Sequence, residues 1–122
     1  MKKSEVAIVS KQFALRIIKL CKYLLDNYKN DTIIPILVKQ MLRSGTSIAA
    51  NVAEARNAQS TDDFIHKHNI ALKEADETQL WIELLHESDY LDDVQFKSIY
   101  DDANKITAML INLIRTTREN NK

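Results

Sequence analysis

The chain has 122 residues, 17 basic and 17 acidic side chains, a net charge of zero, and only one glycine and one proline. Average proteins hold roughly 7% Gly and 5% Pro, and sheets and long loops rely on both for their turns. The composition therefore predicts a single all-helical domain, and the neutral balance gives no overall electrostatic pull toward nucleic acid.

The first helix is expected over about residues 4–28. Val6, Val9, Phe13, Ile17, Leu20, Leu24 and Tyr28 recur at three- and four-residue steps and mark one buried stripe. Ala7, Ala14, Ile18, Cys21 and Leu25 form a second stripe beside it. After the connection "NYKNDT", a second helix over about 34–57 starts near Pro35, a residue tolerated in the first turn, with Asp31 or Thr32 just outside. Its core stripe is Ile34, Val38, Met41, Gly45, Ile48, Val52 and Ala55.

Ser60 followed by Asp63 has the spacing of a capping box and opens a third helix over about 61–87. Phe64, His68, Ala71, Ala75, Thr78, Ile82 and Leu85 are its core stripe. Asp92 with Gln95 repeats the cap, and a fourth helix over about 93–117 buries Phe96, Ile99, Ala103, Ile106, Leu110 and Leu113. The tail "RENNK" is expected to fray.

Four helices of similar length on short connections predict an antiparallel up-down-up-down bundle, with crossings of about 20°. Helices one and four carry apolar residues beyond one broad face: Ile18 and Leu25, then Tyr100, Ile111 and Ile114. Subunit association would cover that surplus, so a homo-oligomer is expected with these five residues at its interface.

Charge is distributed unevenly. Residues 1–30 carry seven Lys or Arg against Glu5 and Asp26, while residues 61–91 carry eight acidic side chains against Lys67 and Lys73. Basic helix one and acidic helix three can attract each other within or between subunits. Lys3, Lys11, Lys19 and Lys22 are also the candidate contacts to nucleic-acid phosphate. The plainer alternative is a pair of lopsided solvated faces.

The segment "RSGTSIAANVAEA" is helical in pattern yet nearly free of large side chains. At about 100° per residue, Arg43, Ser47, Asn51 and Glu54 fall within roughly 80° of one another. A small-residue strip of Leu42, Ala49 and Ala53 separates this polar series from the core stripe. Small side chains let a second backbone approach, and polar groups can then fix the register. Helix three offers Lys67, Ile70, Glu74, Glu77, Trp81 and Leu84 at the facing steps, with Glu74 and Glu77 as partners for a buried Arg43. Asn51 and Glu54 have the spacing to pair along their own helix. The cluster Arg43, Ser47, Asn51, Glu54, Glu74, Glu77 and Trp81 is either a recognition surface or a register-setting helix contact.

Catalytic chemistry is not indicated. A di-metal bundle site needs Glu-x-x-His on two helices. Glu83-x-x-His86 and, loosely, Asp63-x-x-His66 both lie on helix three. Cys21 lies in an apolar run without a neighbouring His, one cysteine excludes an internal disulfide, and one glycine rules out a glycine-rich phosphate loop. No metal, cofactor or small-molecule substrate is expected. No segment resembles a signal peptide and no apolar run approaches the ~18–20 residues of a membrane span, so a cytoplasmic, non-membrane protein is expected.

The segments "QMLRSGTSIAANVAEA" and "SxxDFIxKxxIALKEAxETxxWIELL" resemble the four-helix-bundle proteins of the 23S rRNA intervening-sequence family, also described as S23 ribosomal proteins. The likeness spans about residues 40–85; helices one and four agree in length and apolar pattern. Arg43, Ser44, Ser47, Asn51, Glu54, Ser60, Lys73, Glu74, Glu77 and Trp81 stand where the family pattern has its characteristic residues. The resemblance implies a left-handed up-down bundle, assembled as a homopentamer and without catalytic activity. It also implies an association with large-subunit ribosomal RNA genes. Relatives serve as accessory proteins of diversity-generating retroelements, where the ring binds a reverse transcriptase and nucleic acid. Those relatives are markedly basic; this chain is neutral. Two functions follow as expectations: an RNA-associated oligomeric module, or a protein-only scaffold.

Overall fold

A computed structural model describes residues 4–121. They form four helices, α1 (Glu5–Asn27), α2 (Ile34–Ala55), α3 (Thr61–Glu87) and α4 (Asp93–Asn120), with no strand among the described residues. Helix α4 carries Arg118, Glu119 and Asn120, so most of the tail expected to fray is helical.

Each helix start is fixed by a nearby oxygen. Ser4 accepts from the Ala7 amide at 3.2 Å. Asp31 works from outside α2: its carboxylate accepts from the amides of Ile33 at 2.7 Å and Ile34 at 3.0 Å, ahead of Pro35. Ser60 accepts from the Asp63 amide at 3.0 Å, but Asp63 reaches back to Gln59 rather than Ser60, so this cap is not the reciprocal box its spacing predicts. Asp92 and Gln95 do form the reciprocal pair. Helix α3 ends at Glu87, and just beyond its cap Ser88 the φ of Asp89 is left-handed at 69°; the following Tyr90 amide turns back to the Leu85 carbonyl.

Helix α1 packs on α2 and α4, and α3 packs on α2 and α4, while α1 and α3 do not adjoin. Ile17, Leu24, Ile34, Met41, Ile48, Ile82, Leu85, Ile106 and Leu110 are fully enclosed between them. All seven stripe residues expected on α2 are buried, joined by Ser44. On α4, Ile114 is buried and Leu113 only half-buried. Ile114, expected at a subunit interface, therefore belongs to the core of its own bundle. Phe64 and Phe96 are also only half-buried.

Polar ties join the elements. Arg16 binds Asp102 and donates to the Ser98 hydroxyl at 2.8 Å, joining α1 to α4. Tyr100 donates to Glu83 at 2.6 Å between α4 and α3. The Tyr90 hydroxyl donates to Asp31 at 2.8 Å, and the Tyr28 and Tyr90 rings meet edge to face at 5.1 Å. These contacts place the α1–α2 and α3–α4 connections together at one end.

Candidate functional site

Position 45 sets the geometry of α2. The Gly45 backbone is buried against Ile17 of α1, and a β-carbon there would lie 2.9 Å from Ile17 Cγ2. The missing bulk in "RSGTSIAANVAEA" is thus a close helix crossing on one side. On the α3 side, Ser44 and Thr78 hydroxyls bond to each other at 2.8 Å in the sealed interior, and Thr78 also lies 2.7 Å from the Glu74 carbonyl. Pairing satisfies hydroxyls that burial has cut off from water.

Above that pair, Arg43 donates to Glu74 at 3.1 Å and binds Glu77. The Trp81 indole N–H donates to the same Glu77 carboxylate at 3.3 Å. The side chain of Arg43 is 50% exposed and that of Glu74 18%, so the cluster is a half-open seam rather than the buried pairing expected. The rest of the polar series turns to other partners. Ser47 donates to the Arg43 carbonyl at 2.6 Å and Asn51 to the Ser47 carbonyl at 2.8 Å. Glu54 meets Lys67 at 3.6 Å instead of Asn51. Arg43, Glu74, Glu77 and Trp81 form one network; Ser47 and Asn51 are bonded to their own helix.

The lysines of α1 do not form one patch. Lys11, Lys19 and Lys22 are exposed; Lys3 lies outside the described residues. Lys11 lines a groove of about 540 Å³ between α1 and α2, walled by Ile8, Leu15, Ala49, Ala53 and Arg56. Lys19 lines a separate hollow toward α4, with Arg16 and Val94.

Sequence reading missed that groove. Leu15 is 54% exposed and Ile8 45%, and both stand in a row with half-buried Ile18 and exposed Leu25. The signal is present: Ile8, Lys11, Leu15, Ile18, Lys22 and Leu25 follow alternating three- and four-residue steps. Tyr100 is half-buried on Glu83, and Ile111 stands exposed on α4. Leu80 and Leu84 of α3 are further exposed apolar residues.

Two titratable groups lie inside the bundle. Burial pushes the Cys21 thiol up to about 11, and its Sγ lies 3.8 Å from the Val38 carbonyl. Burial holds His68 below the usual histidine range, against an opposing contribution from Nδ1 donating to the Phe64 carbonyl at 2.8 Å. Glu83 is engaged by Tyr100, and His86 lies 2.8 Å from Asp93. Among the described residues no group of three or more His, Cys, Asp or Glu side chains is placed to hold a metal ion. No described helix is long and apolar enough to cross a membrane.

No curated protein matches the chain. A crystal structure of a protein of unknown function from the S23 ribosomal protein family of Bacteroides thetaiotaomicron VPI-5482 superposes with a TM-score of 0.83 at 48% identity. The match covers 89% of this chain and 97% of that one. The family model described as 23S rRNA-intervening sequence protein matches residues 2–112, and the chain belongs to that family.

Proposed function

We propose that the protein is a non-enzymatic, self-associating module that works with RNA in the cytoplasm, as the description of its family suggests. Its bundle runs up-down-up-down, and copies assemble as a homo-oligomeric ring, a pentamer by family resemblance. The observation that carries self-association is the row Ile8, Leu15, Ile18 and Leu25, apolar residues that the single bundle leaves exposed or half-exposed beside a small-residue groove. Antiparallel packing is supported by two pairings: Glu54 with Lys67 near the α2–α3 connection, and Arg43 with Glu74 farther from it along both helices.

RNA contact would fall to the lysines of α1, gathered in several copies by the ring. Binding of structured ribosomal RNA should then weaken steeply with salt, because phosphate contacts release counterions. Absent or salt-independent retention contradicts it. A second reading is a protein-only scaffold whose partner handles the nucleic acid, such as a reverse-transcriptase-type protein. It is favoured by the zero net charge and by Lys11 and Lys19 lining different grooves. Under it, Lys19→Glu leaves partner binding intact.

A further inference from the structure

We draw no further inference here: the strongest candidate, the apolar groove between α1 and α2 walled by Ile8, Leu15, Ala49 and Ala53, carries nothing beyond the self-association already proposed, because nothing in the structure shows what covers it.

Discussion

Ile17 of α1 fills the space that a side chain at position 45 of α2 would need: a β-carbon on Gly45 would meet Ile17 Cγ2 at 2.9 Å and Cγ1 at 3.0 Å. Both atoms sit next to the Ile17 backbone in a fully buried side chain, so neither can swing away. Gly45→Ala gains up to about 1 kcal/mol of helix propensity, but overpacking a filled core costs about 1–3 kcal/mol. The net should be a loss of about 1 kcal/mol, read from the urea midpoint. In an Ile17→Ala background the same change should become neutral or stabilising. Equal effects in both backgrounds would show that the crossing is not what requires glycine.

That crossing was legible because the only glycine falls on the core stripe of α2, between Met41 and Ile48. Periodicity also placed the Glu74 and Glu77 carboxylates opposite Arg43. Ile114 was misassigned for a physical reason. Leu113 and Ile114 are adjacent, and a helix of 3.6 residues per turn drifts against a strict seven-residue repeat, so by the last turns the inward position had moved one residue on. The apolar row on α1 is in the sequence as Ile8, Leu15, Ile18 and Leu25, but that it borders a groove depends on where α2 places Ala49 and Ala53, which no single-helix pattern contains. Ser44 was missed as core because its partner, the Thr78 hydroxyl, is 34 residues away.

The Ser44–Thr78 pair should show strong coupling. Thr78→Val alone removes the 2.8 Å bond that Ser44 accepts, leaving the Ser44 hydroxyl only its 3.3 Å donation to the Met41 carbonyl, and should cost about 1 kcal/mol. Adding Ser44→Ala removes a hydroxyl that has already lost its better partner, so the double variant should lose less than the sum of the two single changes. Additive losses on denaturant unfolding would contradict the assignment.

Arg43 holds two carboxylates from a half-exposed position, where ion pairs are screened by water and salt. Arg43→Ala should therefore cost only about 1 kcal/mol, and the loss should shrink in high salt. Glu74, the less exposed partner, should carry most of it, so Glu74→Gln should lessen the effect of Arg43→Ala. A salt-independent loss of several kcal/mol would mean that the cluster supports packing rather than charge pairing.

His68 makes stability depend on pH. Burial lowers its folded-state value below the ordinary 6.5, so the unfolded chain binds the proton more readily. Stability should be highest above about pH 6.5 and fall as pH drops from there toward the depressed folded value. His68→Gln should flatten that part of the profile, measured as unfolding midpoint against pH. A profile unchanged by the substitution would assign the slope to another group.

Solution mass of the wild-type chain across concentration, by light scattering or sedimentation equilibrium, tests the central claim of self-association most directly. The expected result is a discrete assembly of about five times the 14.1 kDa chain. A mass of one chain at every concentration would contradict it.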